Sequence, residues 1–175
     1  MQYFVGYLVE GEASEYYKAL TSDLNQRFGI KNLSEYIPPH LTLKIPFEPD
    51  SIEDFEKYVA TVSETLSTVD LSVDGFEKFD GKRMTIFLRV AVGENIKTIE
   101  EVVDHLESYS EYTKKLPRPL TLHSSIARFL SPEQCDEIWS YLQTLPTPQF
   151  NLVFNNLTIF KLVDGIWGVH KTFTF

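Results

Sequence analysis

Apolar and polar positions alternate with two different periods along this chain. Residues 2–9 (QYFVGYLV) are aromatic and β-branched, which predicts a strand. Residues 13–28 carry Tyr17, Leu20, Leu24 and Phe28 at helical spacing, with Gly29 placed to stop the helix. Pro38 and Pro39 force an extended entry into residues 40–45 (HLTLKI), which alternate as a half-buried strand should and end at Pro46 and Pro49. Ser51 caps a helix that runs to about Leu66, with acidic residues in its first turn. Residues 70–79 and 83–92 predict a hairpin around Asp80-Gly81, and residues 95–108 a third helix. Leu116-Pro117-Arg118-Pro119 forces extension again, ahead of a strand over 120–129. Ser131-Pro132-Glu133 opens a fourth helix that ends before Pro146. Residues 150–162 and 166–174 predict a last hairpin, turning at Asp164-Gly165.

The order is β α β α β β α β α β β. A proline-rich entry, a histidine-bearing strand and a capped helix occur once in each half. This predicts a degenerate duplication: an α+β fold of two pseudo-symmetric antiparallel-sheet lobes, helices outside and a cleft between. No linker or low-complexity segment separates the halves, so residues 1–175 read as one bilobal domain.

Within each motif strand a short pattern recurs: His40-Leu41-Thr42-Leu43, then His123-Ser124-Ser125-Ile126. Successive strand residues face opposite ways. His40 and Thr42 then share one face, His123 and Ser125 another, with Leu41, Leu43 and Ile126 turned inward. Lys44 follows Thr42 in phase, so it is expected on the face of His40, either as a solvated lysine at the strand end or as added positive charge that binds a phosphate, while its counterpart is Ala127. Arg128 is out of phase with His123, which predicts a structural use. Tyr3, Tyr7, Phe129 and Trp167 are candidate surfaces for a nucleobase, with core packing as their first reading.

The pattern alone is weak. Ser and Thr make up 27 of 175 residues, and His170-Lys171-Thr172-Phe173 is a third match. His170 has neither the proline entry nor the following helix and reads as the polar face of a terminal strand. His105, in EEVVDHLESY, reads as a surface histidine.

A net charge of −9 gives no long-range basic field, so tight non-specific binding to polynucleotides is not expected. A small phosphate ester or an RNA end remains compatible. The single cysteine, Cys135, precludes an internal disulfide and fits a reducing cytoplasm. Neither a leader nor an 18-residue apolar run is evident, so no membrane association is expected. A monomer is the expectation, because no exposed apolar stripe stands out.

With these residues in place, the chain resembles the two-histidine (2H) phosphoesterase superfamily, whose 2′-5′ RNA ligase and cyclic phosphodiesterase families carry one His-x-(Thr/Ser)-apolar motif per lobe. The context PPHLTLK is similar to the YjcG-like bacterial branch. Ser125 stands where threonine is commoner but keeps the hydroxyl. The resemblance implies a cytoplasmic, metal-independent hydrolase. It would use no cofactor and would act on a 2′,3′-cyclic phosphate or 2′-5′ linkage in a nucleotide or RNA end. It also implies His40 and His123 as the catalytic pair and Thr42 and Ser125 as phosphate-binding hydroxyls. Two histidines without a Cys or carboxylate cluster are too few for a typical zinc site. The alternatives are ligation of a 2′,3′-cyclic phosphate to a 5′-hydroxyl, and a non-catalytic nucleotide-binding module.

Overall fold

The computed structural model describes residues 1–81, 83–109 and 114–175. In chain order the elements are β1 (Tyr3–Leu8), α1 (Gly11–Phe28), β2 (His40–Phe47), α2 (Ile52–Glu64), β3 (Val69–Phe79), β4 (Met84–Ala91), α3 (Ile96–Ser108), β5 (His123–Leu130), α4 (Pro132–Leu142), β6 (Gln149–Phe154), β7 (Asn156–Val163) and β8 (Ile166–Thr174). The strands form two antiparallel four-stranded sheets, ordered β2-β1-β7-β8 and β5-β4-β3-β6. This is the expected α+β arrangement of two sheets.

The predicted helix starts hold at the level of atoms. Ser51 Oγ accepts from the Asp54 amide at 3.1 Å. Ser131 and Gln134 close a reciprocal capping box, with Pro132 in the first turn. The helices are exchanged between sheets. α1 follows β1 of the first sheet but packs on β5, β6 and α4. α3 precedes β5 of the second sheet but packs on β2 and α2. Each sheet is therefore covered partly by a helix from the other half. Phe55 and Phe154 are fully buried under these layers, each worth on the order of 2–3 kcal/mol.

Two departures from simple alternation matter. Gly6 pairs with Thr42 but Val5 with Lys44, so Leu43 is an extra residue in β2. In β5, Phe87 pairs with Ser125 but Ile86 with Ala127, so Ile126 is the extra residue. A bulge of two residues against one thus follows the hydroxyl residue in both motifs. β2 runs on to Phe47 past Pro46, where the sequence predicts an end, with a second register irregularity between Lys44 and Phe47. The second departure is at Asn155. The predicted strand 150–162 is two strands in different sheets, β6 beside β3 and β7 beside β1. Asn156 causes the break: its Oδ1 accepts from the Leu8 amide at 3.0 Å and its Nδ2 donates to the Leu8 carbonyl at 3.2 Å. A side chain here takes the place of a ladder step.

The site end of β1 tolerates no side chain at Gly6. A Cβ there would lie 2.7 Å from the Leu41 carbonyl oxygen and 3.5 Å from His40 Cδ2. Gly6→Ala is expected to cost about 2 kcal/mol, because rigid backbone must yield. Denaturant unfolding checks this, and an unchanged midpoint would show that β2 moves freely.

Candidate active site

β2 and β5 are the edge strands of their sheets and lie against each other. This brings His40 and His123 together although no hydrogen-bonded ladder joins their strands. The proline-rich entries set both rings alike. His40 Nδ1 lies 2.8 Å from the Pro38 carbonyl, and His123 Nδ1 lies 2.8 Å from the Thr121 carbonyl. A carbonyl only accepts, so each bond assigns the proton to Nδ1 and leaves Nε2 as the free nitrogen.

Two phenylalanines back each imidazole. His40 sits 4.9 Å from Phe4, which stacks on Phe160 at 4.4 Å. His123 sits 4.9 Å from Phe87, which packs on Phe79 at 4.4 Å. These apolar walls disfavour the charged ring. Burial is the largest cause that lowers His40 to about 4, followed in the same direction by the charges of His123 and Arg128, against the bond to Pro38. His123 is lowered by burial and by Arg128, against the bond to Thr121. His40 thus feels the charge of His123, and Arg128 acts on both.

Thr42 and Ser125 are half-buried on the faces of their histidines, and their hydroxyls make no side-chain hydrogen bond among the described residues. Lys44 does not join them. Its expected place beside His40 is corrected by the bulge, which turns it to the face of its partner Val5. There it is 1% exposed, with Nζ 4.6 Å from the Phe47 ring centre, and burial lowers its pKa against the pull of Glu107. The same bulge corrects the reading of Arg128. Ile126 and Ala127 both turn inward, and Arg128 returns, exposed, to the face of His123 and Ser125. It forms no ion pair among the described residues, and its guanidinium lies 5.0 Å from the Phe129 ring centre. Strand phase counted without the bulge misses it. A signal was present: Arg128 breaks an otherwise apolar run from Ile126 to Leu130.

Of the other candidates, Tyr3 and Tyr7 are core residues, 6% and 4% exposed. Phe129 is 64% exposed at a φ of 61°, and Trp167 packs edge-on against Phe4 at 4.8 Å. His170 is turned by a bulge toward α2, where Nε2 lies 2.7 Å from Glu56 Oε1. It is apart from the cleft, and it does not share the face of Thr172 as strand phase suggests. His105 is exposed on α3. Among the described residues, no three His, Cys, Asp or Glu side chains converge as metal ligands, and no helix is long and apolar enough to cross a membrane.

Comparison with known proteins agrees with this arrangement. A Bacillus pumilus protein whose name assigns it to the phosphoesterases is 29% identical over 142 residues, which span 78% of this chain and 79% of the relative. The Thermus thermophilus protein TT0787 superposes with a TM-score of 0.65 at 14% identity, covering 99% of this chain and 97% of that one. Escherichia coli LigT complexed with 3′-AMP does so with a TM-score of 0.56 at 13% identity, covering 99% and 96%. At those identities the solved structures establish the fold. The family model of the 2′-5′ RNA ligase superfamily matches residues 11–165, both motif strands included, and the chain belongs to that superfamily.

Proposed function

We propose that the protein is a phosphoesterase that hydrolyses a 2′,3′-cyclic phosphate or a 2′-5′ phosphodiester of a nucleotide or RNA end, with His40 and His123 as its acid–base pair. The observation that carries this is the matched presentation of two Nε2 atoms beside two hydroxyls and an arginine, none of which has a hydrogen-bond or ion-pair partner among the described residues. Binding of 3′-AMP by LigT supports a nucleotide ligand.

Phosphate binds against Arg128, with Thr42 and Ser125 donating to its non-bridging oxygens. Burial keeps both rings neutral in the free protein. A phosphate anion between them favours one imidazolium, so the substrate itself supplies the charge that stabilises the acid. His40, with its pKa lowered to about 4, is the base. It takes a proton from water as the water oxygen bonds to phosphorus. His123 is the acid and gives its proton to the ribose oxygen as the phosphorus–oxygen bond breaks. The lone pair of that bond leaves with the ribose oxygen. No covalent intermediate is needed.

His40→Ala and His123→Ala are each expected to lower kcat on a 2′,3′-cyclic nucleotide by about 10²–10⁴-fold while leaving the fold intact. A p-nitrophenyl ester of a nucleotide needs no acid, so His123→Ala should retain far more activity on it than His40→Ala. The opposite order reverses the roles, and full activity of both variants removes the mechanism.

Arg128→Met should lower kcat/KM by about 10²-fold and raise the titration midpoint of both histidines, because one positive charge is removed from each. Unmoved midpoints in a proton NMR titration would place the guanidinium away from the rings.

His40 also makes stability depend on pH. Its folded pKa of about 4 lies below the unfolded value of about 6.5, so between these values only the unfolded chain holds the proton. Stability therefore falls as pH drops from 6.5 to 4, by about 3 kcal/mol from this group. Urea unfolding of the wild type and of His40→Gln at pH 7 and 4.5 reads the difference. Equal pH dependence in the two proteins refutes the assignment.

A further inference from the structure

The two halves match in strand register but not in chemistry. The residue opposite His40 is Leu8, and the residue opposite His123 is Arg89. Beyond Thr42 and Gly6 the first sheet places Thr158, and beyond Ser125 and Phe87 the second places Glu77. The stacked Phe160 of the first sheet is fully buried, whereas its counterpart Phe79 is 40% exposed. Open aromatic surface and charge thus lie together on the His123 side. Phe79 meets the His123 ring edge-on, 5.0 Å between centres and at 89°, so a group stacked on Phe79 is adjacent to that imidazole.

A groove of about 540 Å³ starts beside Glu77 and is lined by Asp74, Glu77, Arg89, Thr121 and Leu122; Phe79 and His123 stand outside its lining. Thr121 is the residue whose carbonyl holds His123. Arg89 is fixed within the groove: its Nε donates to the Asp74 carbonyl at 3.0 Å and its Nη2 to Asp74 Oδ2 at 2.5 Å. Its Nη1 has no partner among the described residues. Glu77 is exposed and makes no hydrogen bond or ion pair with any described residue, so both its oxygens are available as acceptors. Asp74 and Glu77 outweigh the single arginine, so the groove does not suit a second phosphate. It suits a neutral group that offers donors to a carboxylate and an acceptor to a guanidinium.

We propose that the exposed face running from Phe79 past Glu77 to Arg89, at the mouth of this groove, is the nucleobase subsite and that it selects guanine. The inference rests on the reading of the substrate as a nucleotide. The base stacks on Phe79. The N1–H and N2–H₂ of guanine are two adjacent donors that match the two oxygens of Glu77, and O6 accepts from Arg89. Adenine and cytosine set a ring lone pair beside their single donor group, and uracil flanks its one N–H with two carbonyls. Each of these opposes a carboxylate. Trp167, on the other sheet, is bordered instead by the apolar Phe4 and Val169.

Titration calorimetry of the full chain with 3′-GMP, 3′-AMP, 3′-CMP and 3′-UMP tests the subsite. 3′-GMP should bind at least about ten-fold more tightly than 3′-UMP. Glu77→Gln should bring that ratio close to one, and Phe79→Ala should weaken all four ligands. Equal affinities in the wild type, an unchanged ratio in Glu77→Gln, or a loss in Trp167→Ala but not in Phe79→Ala overturns the proposal, as does the absence of binding. Turnover of the 2′,3′-cyclic nucleotides is scored separately. Guanine-selective binding without turnover supports the subsite and refutes the phosphoesterase reading. Turnover without base preference does the reverse.

Discussion

One bulge, placed twice, sets the geometry on which the site depends. In each motif strand an extra residue, Leu43 or Ile126, follows the hydroxyl residue. Up to that point the strand alternates and aims histidine and hydroxyl at the cleft. At the bulge two neighbouring residues turn inward, and beyond it the phase is reversed. β2 and β5 can therefore serve as facing sheet edges and still bury the ends of their strands. A sheet edge carries a row of unpaired backbone groups that invites unwanted pairing. Here the two edges lie against each other, and the helices exchanged between sheets hold them there.

Because the bulge is shared, differences between the halves stand out at matched positions. Lys44 and Ala127 occupy the same buried place and say little about substrate. Ile45 and Arg128 occupy the next place, which faces the cleft. Among the described residues at these matched positions, the cation on the histidine face comes from the second half. Leu8 against Arg89 and Thr158 against Glu77 again put the charged residue, of either sign, in the second half. The two halves present similar imidazoles, and their differing neighbours make the two sides of the pair unequal.

Much of this was legible in the chain. Period-two alternation after forced extension marked both motif strands, and Ser51 and Ser131 marked helix starts through cap chemistry that needs only local residues. The pair His40 with Thr42 and His123 with Ser125 was legible because both residues precede the bulge. Lys44, Arg128 and His170 were misplaced for one reason. A bulge is fixed by pairing with a distant strand, and alternation counted along one strand carries no trace of it. The break at Asn155 was hidden similarly, since Asn156 acts on Leu8, far away in sequence. Two consecutive asparagines in a strand of apolar residues were the available sign.

The position of the charge also reconciles an acidic protein with a phosphate ester. At a net charge of −9, long-range attraction cannot gather a polyanion. On the proposed reading, Arg128, which has no ion-pair partner among the described residues, can still hold one phosphate, because screening confines the repulsion of distant carboxylates to about 10 Å or less at ordinary ionic strength. Aromatic backing makes an uncompensated imidazolium unfavourable in the empty cleft. On the proposed mechanism the site becomes charged mainly when an anion is present to balance it. Recognition and activation of the acid would then be one electrostatic event, requiring only a phosphate that reaches both rings.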